Sequence, residues 1–232
     1  MAEDNSFDVP EPSGGDSAHA IGRGLLSLIP YLGGPAVELF SALVTPPLER
    51  RRQEWMEKVG EALRNLHATK QIDINELVKN EGFIDTLLTA SQAAMRTSQE
   101  EKIESLNNAV LNTALPNPPD QALRHIFLSL VDEFTEWHLR LLKLFQDPRA
   151  WAEAHEHTFP SGNSLSGILE SAYPELKGKR PFYDLIWGGL VTRGLTNTGS
   201  LQGMMTTQGT LERRASDIGN QFLSFIESPT VS

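Results

Sequence analysis

Between residues 48 and 134 apolar side chains recur at the three- and four-residue spacing of amphipathic helices, and no stretch alternates with the two-residue period of a strand. Leu48 to Leu66 carries Leu48, Trp55, Met56, Val59, Leu63 and Leu66 on one stripe. Asp73 with Glu76 has the form of a capping box opening the short helix DINELVK. The next segment, EGFIDTLLTASQAAMR, gathers Phe83, Ile84, Leu87, Leu88, Ala94 and Met95 on one face. Ser98 with Glu101 forms a second box, and Ile103, Leu106, Val110 and Ala114 continue the pattern. A loop, LPNPPD, leads to Pro119 in a first turn and to a dense stripe of Leu123, Ile126, Phe127, Leu130, Val131 and Phe134. Short connections between such helices predict an antiparallel bundle over 48–134.

From Thr135 the pattern changes. Thr135 suits the N-cap of EWHLRLLKLF, whose apolar positions are Leu139, Leu141, Leu142 and Phe145, and Asp147-Pro148 ends it. RAWAEAHEH reads as a short helix, and Ser164 caps LSGILESAY up to Pro174. After the basic turn KGKR, Pro181 opens a helix with Phe182, Leu185, Ile186 and Leu190 facing the core, and Gly194 closes it. Residues 195–210, LTNTGSLQGMMTTQGT, predict two short strands around a glycine turn. A last helix carries Leu211, Ala215, Ile218, Phe222, Phe225 and Ile226. Three helices, a ribbon and a helix is the order of a winged helix. The predicted class is therefore mainly α, a helical bundle (48–134) followed by a winged-helix-like domain with a small β-ribbon (135–228).

The segment before the bundle is different in kind. AIGRGLLSLIPYLGGPAVELFSALV is the most apolar stretch, but Pro30, Gly33, Gly34 and Pro35 interrupt it and Glu38 is charged. A spanning helix needs about 20 uninterrupted apolar residues. The expectation is a broken apolar hairpin over 19–47, with helices at about 20–29 and 35–44 and a stop at Thr45-Pro46-Pro47. Residues 1–18 are acidic and rich in Pro, Gly and Ser, with neither the basic nor the apolar region of a secretory signal, and read as a disordered tail.

Composition narrows the chemistry. A net charge of −10 argues against general attraction to phosphate backbones, and the absence of cysteine removes thiolate nucleophiles, thiolate metal sites and disulfides. That fits a cytoplasmic location, with a peripheral place at the inner membrane if the hairpin is used there. No phosphate loop, nucleophile elbow or dinucleotide fingerprint occurs. His155-Glu156-His157 puts its imidazoles two residues apart, on different sides of a helix, so no metal is expected. Nothing points to an enzyme, a cofactor or a small-molecule substrate.

Parts of the chain resemble a known family. FIDTLLTASQAAMRTSQEEKIESLNNAVLNTAL followed by IFLSLVDEFTEWHLRLLKLFQDP resembles the helical core of bacterial abortive-infection proteins of the alpha type and their uncharacterised relatives. The matching positions are Ala94, Arg96, Thr97, Glu101, Lys102, Thr135, His138, Leu141 and Leu142. ERRASDIGNQFLSFI resembles the closing helix of bacterial winged-helix proteins. The resemblance implies a link to phage defence and carries no catalytic residues.

Three candidate surfaces remain. Lys177, Lys179, Arg180, Arg193, Arg213 and Arg214 flank the helix and wing that would touch DNA, yet FYDLIWGGLVT offers no Arg, Lys, Asn or Gln to read bases. Trp187 beside Gly188 and Gly189 predicts close packing against another surface, so a docked protein or a second copy ranks ahead of DNA. Leu25, Leu26, Leu28, Ile29, Leu39 and Phe40, followed by Arg50, Arg51 and Arg52, would suit a membrane with anionic head groups. The leading expectation is a non-enzymatic interaction or regulatory module, with a DNA-binding regulator and a membrane-active effector as the alternatives.

Overall fold

The computed structural model describes residues 35–69, 71–160, 164–203 and 205–229. The tail and the first half of the expected hairpin, including Leu25, Leu26, Leu28 and Ile29, lie outside them. The described residues form helices α1 (Pro35–Ala68), α2 (Ile74–Leu77), α3 (Glu81–Arg96), α4 (Glu100–Ala114), α5 (Gln121–Glu133), α6 (Glu136–Gln146), α7 (Pro148–Ala154), α8 (Leu165–Ala172), α9 (Arg180–Thr192), α10 (Thr207–Thr210) and α11 (Asp217–Ile226). A single 3₁₀ turn, Pro174–Leu176, separates α8 from α9. The class is mainly α, as the periodicity predicts.

The expected stop at Pro46-Pro47 does not occur: both prolines sit inside the 34-residue α1. Each removes one N–H and so frees one carbonyl, those of Ala42 and Leu43, and both of these residues are exposed. Water can satisfy carbonyls at such positions, which lowers the cost of carrying the prolines.

The chain divides into two compact units. Among the described residues, one holds those from 35 to 98 together with 109–118; the other holds 99–108 and those from 119 to 229. In the first unit α1 packs on α3. Trp55 and Val59 are buried, as are Phe83, Ala90, Ala93 and Ala94, the alanines letting the helices approach closely. The indole N–H of Trp55 donates to Ser91 Oγ at 2.8 Å, and that hydroxyl donates to Leu87 O at 2.7 Å, so the buried polar atoms are satisfied. Asp73 Oδ1 accepts from Asn75 N as the N-cap of α2. Leu88, expected inside, is 56% exposed.

The second unit has an aromatic interior. Phe127 lies 5.5 Å from Phe222 and 5.7 Å from Phe225, and Phe134 meets Phe222 edge-on at 6.2 Å. These offset arrangements are the ones the ring quadrupole favours. Leu141, Leu142, Leu144 and Phe145 of α6 are fully buried, as are Leu165, Ile168 and Leu169 of α8. Ser164 caps α8 through Gly167 N at 3.2 Å, and Gly194, at φ +70°, ends α9 as expected.

No strand pairs occur among the described residues of the predicted ribbon. Thr196 forms an isolated antiparallel bridge with Ala215, supported by Asn197 N to Arg214 O and Ser216 N to Leu195 O, both 2.9 Å. Between the two sides the chain folds into α10, capped by Thr206 Oγ1 on Gly209 N. Leu201 and Thr210 are buried, so side-chain anchoring to the body replaces a ladder. The last helix begins at Asp217, with Ser216 as its cap, rather than at Leu211. Gly219 is required there, because a Cβ would overlap the carbonyl oxygen of Leu195.

Candidate interaction surfaces

Trp187 is not a surface residue. It is 2% exposed, its ring meets Phe145 edge-on at 5.1 Å, and its indole N–H donates to Thr198 O at 3.1 Å. The buried face of α9 is Tyr183, Ile186, Trp187 and Leu190. The helix is turned by one residue from the expected register, and Leu185 and Phe182 come out, 72% and 39% exposed. Gly188 has open space where a side chain would stand, whereas a Cβ on Gly189 would come within 2.8 Å of His138 Nε2. The outer face of α9 is thus an apolar strip, Phe182 and Leu185, leading to a bare backbone at Gly188.

The six cations proposed for DNA do not make one free basic face. Arg180 Nε pairs with Asp184 at 3.1 Å, Arg193 makes a two-oxygen contact with Glu133 at 2.6 and 2.5 Å, and Arg213 Nε donates to Asp147 at 3.0 Å. Arg214, largely buried, reaches the Gly209 carbonyl and pairs with Glu212 at 3.2 Å, so it holds the loop before α11. Lys177 and Lys179 are exposed on the turn before α9, where Gly178 takes φ +74°.

The candidate membrane residues within the described part lie on α1. Leu39 and Leu43 are 62% and 66% exposed and Phe40 is 37% exposed. Arg50 pairs loosely with Glu54 at 3.7 Å, Arg51 donates to Met95 O at 3.3 Å, and Arg52 is exposed. Among the described residues no helix is long and apolar enough to cross a membrane.

A groove of about 840 Å³ in the second unit escaped the sequence reading. Arg140, Trp151, Tyr173, Asp147 and Glu175 are among its walls. Its charges are largely engaged. Arg140 Nε donates to Glu101 at 2.7 Å, which raises the guanidinium above its ordinary value, and Arg140 also reaches Glu136 at 3.2 Å. Asp147 caps α7 through Ala150 N; that bond, helped by Arg213 and opposed by burial, holds the carboxyl below its usual range. Burial pushes the Tyr173 hydroxyl up, so it stays protonated. His155 stacks on Trp151 at 4.0 Å and His157 meets the same ring edge-on, with its Nε2 2.9 Å from Ser171 Oγ. No three His, Cys, Asp or Glu residues among those described are placed to hold a metal. The helices that line it, α4, α6, α7 and α11, are each legible in the sequence, but the hollow between them follows from packing.

The residues that carry the family resemblance have structural tasks here. Ala94, Leu141 and Leu142 are buried. Lys102 Nζ donates to Asp132 O at 2.8 Å, and Thr135 caps α6 with His138 in place of the usual acid. Thr135 N donates to His138 Nδ1 at 3.1 Å, and the imidazole lies flat on Phe134 with centroids 4.5 Å apart. Desolvation lowers the His138 pKa; Glu133 opposes this and Lys102 adds to it. Comparison of the chain with protein-family models, with curated proteins and with solved structures finds no match.

Proposed function

We propose that this protein is a non-enzymatic interaction module that self-associates through the outer face of α9. The observation that supports this reading most is Leu185, held 72% exposed on a helix whose opposite face is buried. A rigid helix presenting Phe182, Leu185 and the bare Gly188 suits close approach of the same strip from a second copy, in the self-complementary manner of a two-fold dimer. The exposed Lys177 and Lys179 at its head would meet acidic positions, which a chain of net charge −10 supplies. We read α8, α9 and α11 as winged-helix-like in their helices alone. A role in phage defence rests on the sequence resemblance alone. The DNA-binding alternative is weaker than the sequence suggested, since four of its six cations have carboxylate partners.

Sedimentation of the full chain at increasing concentration tests the proposal. The expected result is a reversible monomer–dimer shift that Leu185→Asp removes while circular dichroism stays unchanged. A chain that is monomeric throughout, or a dimer indifferent to Leu185→Asp, overturns it.

A further inference from the structure

We propose that the first half of α1 is a lipid-binding element that lies in the head-group region of an anionic membrane, a surface separate from α9. At 100° per residue, Leu39, Phe40, Leu43, Pro46, Pro47 and Arg50 fall within about a third of the helix circumference. All six are exposed. Glu38 and Glu49 lie outside that arc. From residue 37 to residue 54 no side chain of α1 is buried; the first buried one is Trp55. The helix therefore offers an apolar strip closed at its C-terminal end by a cation, and its neighbouring turns are not sunk into the body.

Two facts decide between lipid and a second copy as the occupant. No side chain from residue 37 to residue 54 is buried, so nothing holds the strip in the fixed pose that self-complementary pairing with a second copy requires. Partitioning into a bilayer surface has no such requirement, since each apolar side chain contributes by itself. The sequence just before α1 extends the same chemistry, because residues 20–47 contain only Arg23 and Glu38 as charged positions. Arg50, within the same arc, is then the first cation after that stretch able to meet anionic head groups; Arg51 reaches Met95 O, and Arg52 lies on the opposite side of the helix.

The prolines set the depth. With the carbonyls of Ala42 and Leu43 left without helical partners, immersion in hydrocarbon would strand them, whereas water and head groups in the interface satisfy them. The element lies on the membrane and does not cross it.

Vesicle flotation of the full chain, with phosphatidylcholine alone and with added phosphatidylglycerol, provides the test. Binding is expected to the mixed vesicles and to weaken with salt. Leu39→Ser with Leu43→Ser should lower it by about tenfold or more, since two exposed leucines are removed. Arg50→Glu should reduce the preference for phosphatidylglycerol, whereas Arg52→Glu, on the opposite side of the helix, should reduce it less. Leu185→Asp should leave flotation unchanged, which separates this element from the α9 face. No flotation with either vesicle, or equal flotation of the double leucine variant, overturns the inference. So does a concentration-dependent dimer abolished by the leucine pair, which would assign the strip to a second copy.

Discussion

The first half of α1 and the whole of α9 both show leucines to solvent, but they do so from opposite situations. In α9 the exposed Leu185 is the back of a helix whose front, Tyr183, Ile186, Trp187 and Leu190, is buried. In α1 the exposed Leu39 and Leu43 belong to turns in which no side chain from 37 to 54 is buried. An apolar side chain on an anchored helix has a fixed position and direction, which favours docking to a shaped surface. One on turns without such anchoring suits a surface that demands no shape, such as a bilayer. Exposure alone does not distinguish these cases; the opposite side of the helix does.

Removing the anchor of α9 is the most severe way to break this contrast. Trp187→Ala deletes a buried ring and leaves Thr198 O with only the longer bond from Thr196 Oγ1 at 3.4 Å, so a loss of about 3–5 kcal/mol is expected in urea unfolding of the intact chain. Gly189→Ala should cost less, about 1–3 kcal/mol, because the new methyl meets His138 Nε2 unless α6 and α9 move apart. A loss near zero for either would mean that α9 is not held by the contacts described.

Acid should weaken the same anchoring. His138 accepts the Thr135 N–H through Nδ1, which requires the neutral ring, and burial lowers its pKa from 6.5. A depressed folded-state pKa means that this contribution is complete above about pH 6.5 and is lost as pH falls below it. Of the charged neighbours, Glu133, paired with Arg193, moderates the effect and Lys102 adds to it. The urea midpoint of the wild type should therefore fall below pH 6.5 more steeply than that of His138→Gln. The smallest effect is expected on α1, where Leu43→Ser should change stability by no more than about 0.5 kcal/mol. A larger loss there would show that these turns are anchored after all and would remove the contrast.

Local chemistry read well from the chain. Asp73, Thr135 and Ser164 act as caps because each supplies a side-chain oxygen beside orphan N–H groups, whatever surrounds the helix. Gly194 ends α9 because positive φ is cheap only there. The stripes of α3, α5 and α6 were legible too, apart from Leu88 and Ile126, which lie at their margins and stay outside. The orientation of α9 was not legible. Its sequence is apolar almost all round, so the stripes through Phe182 and Leu185 and through Tyr183 and Trp187 fit the period equally. Likewise the six cations could be counted, but two of the four carboxylate partners come from residues far away in sequence, Glu133 for Arg193 and Asp147 for Arg213.

What the sequence by itself determined is the class, the caps and most helix ends, because these depend on interactions within a few residues. Tertiary structure alone decided three things. It turned Trp187 inward, since Thr198 and Phe145 offer its indole a bond and a ring to pack on. It replaced the ribbon over 195–210 with an anchored loop and α10, because buried Leu201 and Thr210 tie that stretch to the body where a two-stranded ladder of this length is marginal. It also left α1 running through Pro46 and Pro47, because at exposed positions water takes the place of the bonds that proline removes.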